Sequence, residues 1–424
     1  MKISIVNARV IDPASGQDGP RAIHIQAGNI AALGDAPAGF VPNRTIDAKG
    51  LVAIPGLVDL SARLREPGFE HKATLESEIG AALAGGVTSL ACPPDTDPPL
   101  DEPGLIEMLK HKARGLDATR VFPLGALTVG LKGAALTEMA ELTEAGCVGF
   151  AQPGALISDT QALLRAMQYA HGFGYTVWLQ PQDPKLGRDG VAHSGAVAGR
   201  LGLSGVPTIA ETIALQTILE LVRATGCRVH ICRLSSAAGI EIVRRAKTEG
   251  LPVTCDVAVH HLHQIDVDIG FFDSNHRVHP PFRAQRDRDA IRAGVADGTI
   301  DVICSDHTPV DDDAKQLPFG EAEPGVTGLE LLLPLTLKWA EEARVKWADA
   351  LGRVTYRAAD VLGVAGGRIA VGEAADLCLF DPREHWKVGR ETLVSQSVHT
   401  PYFGRELVGR VRTVLVGGKV ALER

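Results

Sequence analysis

The feature that most constrains this chain is an alternation. From Leu57 onward, short runs of β-branched and other apolar residues are separated by amphipathic stretches of helical period. The apolar runs predict strands at Leu57–Ala62, Val87–Cys92, Val121–Leu127, Cys147–Ala151, Thr176–Leu179, Arg228–Leu234, Val253–Ala258 and Ile300–Ser305. Between them, helical spacing is read at Thr74–Ala84, Leu105–Arg114, Thr160–His171, Ile209–Ala224, Ala238–Glu249 and Arg286–Ala296. About eight strand–helix units over roughly 300 residues predict an α/β fold of the (β/α)8 TIM-barrel kind, placed at 55–364. Chemistry on such a barrel belongs at the C-terminal strand ends, where loops converge.

Both ends of the chain read differently. Ile3–Val10, Arg21–Ile25, Thr45–Ala48 and Leu51–Ile54 look like short strands, with a turn at Gly28-Asn29. Arg368–Val371, Leu377–Phe380, Val411–Val416 and Lys419–Leu422 do the same at the other end, the last two joined through Gly417-Gly418. We therefore expect 1–54 and 365–424 to fold together as one small β-sandwich domain. No repeat of 20–50 residues and no low-complexity tract is present.

Composition then excludes function classes. Lys plus Arg number 43 against 51 Asp plus Glu, a formal charge of −8. Without a basic block, a nucleic-acid binder is disfavoured, because backbone phosphates are held by clustered cations. No run of about 18 apolar residues predicts a membrane span. The N-terminal segment lacks the make-up of a signal peptide, so a cytoplasmic protein is expected. The seven cysteines are scattered and mostly lie within apolar runs, which reads as buried thiols in a reducing compartment. A phosphate-cradling Gly-x-x-x-x-Gly-Lys-[Ser/Thr] loop is missing, and so is a Gly-x-Ser-x-Gly elbow.

Several segments carry a resemblance. Pro55-Gly56-Leu57-Val58-Asp59 followed by Leu64-Arg65-Glu66-Pro67-Gly68 resembles the first-strand signature of the dihydroorotase family, within the amidohydrolase superfamily. Pro93-Pro94-Asp95-Thr96-Asp97-Pro98 resembles its turn after strand two, and His279-Pro280-Pro281-Phe282-Arg283 its Asn-Pro-Pro-Leu-Arg. Asp297 through Pro309 is similar to the strand-eight motif almost word for word. Phe319, Pro324-Gly325, Leu329-Glu330, Gly372 and Ala375-Asp376 extend the likeness over nearly the whole chain. The resemblance implies a hydrolase of dihydropyrimidine rings in pyrimidine biosynthesis, with one or two zinc ions at the barrel mouth and an aspartate that shuttles protons.

The ligand positions that the resemblance implies hold other residues. Ser61 and Arg63 stand where the family has His-x-His, and Phe150-Ala151-Gln152-Pro153-Gly154 stands for Phe-x-Asp-Asp-Gly. Gln180 opens the segment that replaces His-x-Glu-Asp, and Arg233 takes the second histidine of His-x-Cys-His. Only Asp306 keeps its family identity. Arginine has no lone pair to offer a metal, and neutral amides and hydroxyls are weak zinc donors. The expectation is no zinc and no other cofactor, with Asp306 as a catalytic vestige whose buried charge is matched by Arg63 or Arg233. Of the substrate-reading positions, Arg65 retains the arginine used against a carboxylate, with pairing to a neighbouring acid as its alternative. Asp95 and His279 replace asparagines, and Asp95 adds a charge that opposes an anion.

The remaining polar residues get blander readings. His260, His261 and His263, with His276 near them, read as structural or surface residues, and His230 and His307 as hydrogen-bonded core. Asp311-Asp312-Asp313-Ala314-Lys315 reads as a solvated lid. By the same resemblance, the expected role is that of a catalytically silent homologue, oligomeric, kept as structural partner of aspartate carbamoyltransferase. Two rivals stand beside it. One is an active, divergent zinc-dependent cyclic amidohydrolase, its metal held by Asp306 with His230 or His307. The other is a metal-free sensor of ureido acids anchored on Arg65.

Overall fold

The computed structural model describes residues 1–424. Its middle is a closed ring of parallel strands. In ladder order these are Leu57–Asp59, Val87–Cys92, Arg120–Ala126, Phe150–Gln152, Thr176–Leu179, Arg228–Ile231, Val253–Ala258 and Val302–Cys304. The third strand is interrupted at Leu124. Its N–H bonds Cys92 O at 2.9 Å while the N–H of Gly125 bonds Gly149 O at 2.9 Å, so one strand passes from its second-strand neighbour to its fourth. The ring closes where Ala62 bridges His307 in parallel, with Arg63 N–H on His307 O at 2.9 Å and His307 N–H on Ser61 O at 3.0 Å. The (β/α)8 expectation holds.

Three strands match their expected bounds; the first, sixth and eighth are shorter, the third begins one residue early at Arg120, and the fourth is shifted to Phe150–Gln152. The sixth stops at Ile231 rather than Leu234 because Arg233 turns into the left-handed region, φ 56°. The helices follow from local chemistry. Thr74 accepts the N–H of Ser77 and so starts Leu75–Ala84. Asp159 does the same for Thr160–Phe173, which ends on Gly174 at φ 72°, a conformation that costs glycine nothing. The helix Tyr356–Leu362 places Ala358, Ala359 and Leu362 against Val58 and Val302, in an apolar cluster that also holds Trp178.

The two chain ends share their sheets. One has four strands, in the order Asn29–Leu33, Ile23–Gln26, Lys2–Val6, Arg44–Asp47. The other has six, Lys419–Glu423, Glu406–Val416, Leu377–Lys387, Val52–Pro55, Arg9–Asp12 and Gln17–Pro20. Ile3, Ile5, Ile23, Ile25, Leu377, Leu379 and Leu415 fill the space between them. The long strands Leu377–Lys387 and Glu406–Val416 run past this core. Their outer parts carry Trp386, Leu407 and Val411 into the apolar layer of the barrel's helices, which ties the two cores together.

Two readings of the ends are corrected. Ile3–Val10 is two strands, broken by Asn7 at φ 62°. Arg368–Val371 is not a strand: Ile369 is buried in the sandwich core, but its N–H bonds the Asp12 carboxylate at 3.2 Å instead of a ladder partner. All seven cysteines are free thiols, six of them buried. No helix is long and apolar enough to cross a membrane.

Candidate functional site at the barrel mouth

A cleft of about 250 Å³ opens at the C-terminal strand ends. Three residues bounding it hold left-handed backbone without being glycine: Arg65 at φ 64°, Arg233 at φ 56° and Asp306 at φ 47°. Such strain persists only where the surroundings fix it, and here it aims three charged side chains inward from the ends of the first, sixth and eighth strands.

At the centre is a buried charge pair. Arg233 Nη1 donates to Asp306 Oδ1 at 3.0 Å, with the two side chains only 7% and 8% exposed. Arg63 Nη1 stands 3.5 Å from the same oxygen, and the Ser61 hydroxyl also lies 3.5 Å away. An arginine therefore faces Asp306 from two sides. Burial lifts the Asp306 carboxyl above the usual carboxylate range, and the Arg233 and Arg63 charges oppose the rise. Arg233 is fastened at its other end too: Nη2 donates to Gln180 Oε1, and its main-chain N–H to Asp256 Oδ1 at 2.6 Å.

The surrounding residues are similarly engaged. Asp95 accepts from Arg63 Nε at 2.7 Å, and although burial works against it, Arg63 holds its carboxyl below the usual range. Its charge is thus spent on an internal partner. Arg65 donates Nε to Pro309 O at 2.8 Å and lies 3.8 Å from Glu323, which Lys72 holds at 2.7 Å. Burial and the Arg63 charge both lower the Arg65 pKa. His279 faces the cleft with Nε2 3.3 Å from Gly154 O, and burial pushes its pKa down to about 4, leaving a neutral ring. Gln152 turns away, bonding Thr128 Oγ1 at 2.9 Å and Leu131 O at 2.8 Å. Among the residues lining the cleft, two buried polar atoms have no partner, Asp95 Oδ1 and Gln180 Nε2.

The sequence missed Asp256. It is 1% exposed on the seventh strand and holds three groups: the Arg233 N–H, the Cys304 thiol at 3.6 Å, and His230 Nε2 at 2.9 Å. A lone carboxylate inside the apolar run Val253–Ala258 was the available signal. The ligand atoms of His230, Cys232 and Asp256 lie within 4.8 Å of one another, the one such cluster of three in the molecule. Both ring nitrogens of His230 are already bonded, Nδ1 to Thr254 Oγ1 at 2.8 Å, so this triad is an internal brace. His307 is equally occupied, by Glu78 at 2.6 Å and by the Gly328 N–H at 3.1 Å. Neither histidine joins Asp306 in a metal-holding group.

Of the two readings offered for His260 and His261, burial leaves the structural one: they sit on a single tight turn, Val259–Leu262, with no partner for either ring nitrogen. One peripheral reading changes. The 311–315 segment is not simply solvated: Asp312–Gln316 is a short helix that buries Lys315, whose amine donates to Ser274 O at 3.0 Å and Arg277 O at 3.1 Å.

Known proteins resemble this chain over its whole length. A dihydro-orotase-like family model matches residues 50–238. A dihydroorotase-like protein of Pseudomonas aeruginosa is 46% identical over the full length of both chains. The chain belongs to the dihydroorotase-like family. A dihydroorotase of Geobacter sp. (strain M21) is 38% identical, again over the full length of both chains. Among solved structures, the L-hydantoinase (dihydropyrimidinase) of Arthrobacter aurescens superposes with a TM-score of 0.88 at 22% identity, covering 99% of this chain and 96% of its own. That likeness shows that this dihydroorotase-like chain shares the hydantoinase's fold. Zinc does not suit the residues present: guanidinium nitrogens have no lone pair for a metal, and Asp306 Oδ1 already accepts from Arg233.

Proposed function

We propose that this member of the family is catalytically silent and serves pyrimidine biosynthesis as a structural partner of aspartate carbamoyltransferase. The reading rests on one observation, the buried pairing of Asp306 with Arg233 and Arg63. A fixed cation now stands beside the carboxylate on which the family's metal chemistry depends. A dication brought to about 4 Å from a guanidinium would meet roughly 8 kcal/mol of repulsion at an effective dielectric near 20. Hydroxide formation and carbonyl polarisation, which zinc would supply, then have no seat. A barrel freed from catalysis keeps its fold and its surface, since sites and folds are separable.

The test has two parts. Metal analysis of the purified protein, with turnover of dihydroorotate and carbamoyl aspartate, should give substoichiometric zinc and no activity above the uncatalysed rate. Co-expression with the cognate aspartate carbamoyltransferase should give one co-eluting species whose transferase activity falls when this chain is removed. Stoichiometric zinc with turnover would instead support the divergent hydrolase. Separate elution with a fully active lone transferase would remove the partnership.

A further inference from the structure

A second cavity, of about 340 Å³, lies away from the mouth. It forms where the C-terminal end of the helix Pro103–Gly115 and the start of the third barrel strand meet the hairpin between Glu406–Val416 and Lys419–Glu423. Barrel and terminal domain both contribute to it.

Its lining is cationic in a chain whose net charge is −8. Lys110, Arg114, Arg120 and Lys419 face it, against the single carboxylate of Asp117. Arg120 is held by Asp376, which is 5% exposed and whose second oxygen accepts the Gly417 N–H at 2.7 Å. One buried acid thus fixes both a guanidinium and the hairpin turn. Lys110 and Arg114 hydrogen-bond only main-chain carbonyls, Ala145 O at 3.4 Å and Lys110 O at 3.3 Å, and neither forms an ion pair. The Lys419–Asp117 pair is about 70% exposed on both sides, so it offers little resistance to exchange. Cations near a helix C-terminus answer its partial charge of about half a unit, which does not neutralise this set. After Asp117 and Asp376 are counted, two of the four positive charges have no counterpart.

Apolar side chains share the lining, among them Ala113, Val121, Phe122 and Val416. Uncompensated guanidinium and ammonium groups in a cavity also lined by apolar and aromatic side chains ask for an anion attached to a flat apolar group. The volume is at the small end for ligand sites, which suits one base with its sugar and a single phosphate. We propose that this cavity binds a phosphate ester of the nucleoside monophosphate class. Its phosphate lies among Lys110, Arg114 and Arg120, and its base against Phe122 and Val416. The proposal is independent of whether the mouth is catalytic.

The experiment is isothermal titration of the intact protein at low ionic strength with adenosine monophosphate, inorganic phosphate and adenosine. The monophosphate should bind saturably with one site per chain and a Kd below about 1 mM, weakening as salt screens the charges. Inorganic phosphate and adenosine should each bind at least tenfold more weakly. Arg114→Glu and Lys110→Glu, at positions without ion-pair partners, should each weaken binding by at least tenfold with the melting temperature unchanged. Arg245→Glu, a charge reversal on an exposed helix face, should leave it intact. The proposal is overturned if the monophosphate gives no saturable heat, if adenosine or phosphate binds as well, or if Arg245→Glu weakens binding as much as Arg114→Glu.

Discussion

The terminal β-sandwich and the barrel mouth are both assembled from segments far apart in the chain, and they are held together by opposite means. In the sandwich, Ile3, Ile5, Ile23 and Ile25 from one end pack on Leu377, Leu379 and Leu415 from the other. Burial of that kind has no direction, and each methyl group removed is felt in proportion. At the mouth, Asp306, Arg233, Arg63, Asp95 and Gln180 are joined by directed contacts, with Asp95 Oδ1 and Gln180 Nε2 left over. Taking one member away leaves another charged or polar group buried and unmatched, so the loss comes in steps. The barrel mouth is thus a polar core, constrained by the need to match buried charges where the sandwich is constrained by packing.

The sharpest way to break this comparison is Arg233→Ala. It should cost about 3–5 kcal/mol in urea denaturation, and the double variant Arg233→Ala with Asp306→Ala should recover most of that. A cost below about 1 kcal/mol would mean that the Asp306 charge is not paired as described. Next, Ile25→Ala in the sandwich should cost about 2–5 kcal/mol and Ile25→Val about 0.5–1.5 kcal/mol, a graded series that the mouth should not show.

A third effect is pH-dependent. Burial, as the main cause, pushes His260 down to about 3 and His261, His263 and His279 to about 4, so all four stay neutral in the fold while the unfolded chain protonates them near 6.5. The unfolded state then binds more protons below pH 6.5, and these residues withdraw stability as pH falls from about 6.5 through about 4. Glu330 works against this: burial raises its pKa from 4.5 to about 7, so its contribution grows over the same descent. Denaturation midpoints measured from pH 7 to pH 4 should show a steeper acid limb in Glu330→Gln, and a shallower one in His261→Phe. Smallest of all, Arg9→Ala removes an exposed pair with Asp18 and should change stability by less than about 1 kcal/mol.

The barrel was legible because its signal is local and repeated. Apolar runs such as Val87–Cys92, Thr176–Leu179 and Val253–Ala258 have the length and composition of buried parallel strands, and the observed strands coincide with them. The positions at the mouth were legible through family motifs, which set Ser61, Arg63, Arg233 and Asp306 in register with strand ends. Their contacts were not. Nothing in the one-dimensional order says that Arg63 reaches Asp95 as well as Asp306, that Gln152 turns from the cleft, or that Asp256 supports Arg233 from below. Such pairings depend on rotamers and on left-handed backbone at Arg65, Arg233 and Asp306, residue types that seldom adopt it without tertiary support.

The chain's own order of residues determined the alternating architecture, the β character of both ends, and the presence of guanidinium groups at Arg63 and Arg233, because periodicity and residue chemistry are properties of the string itself. The tertiary structure decided which charge answers which, that Lys315 is buried while Asp95 is consumed by Arg63, and that two uncompensated cations share a cavity with apolar side chains from the barrel and the terminal strands. Electrostatic partnership is a matter of a few ångströms between segments remote in sequence, and only closure of the ring and docking of the two ends set those distances.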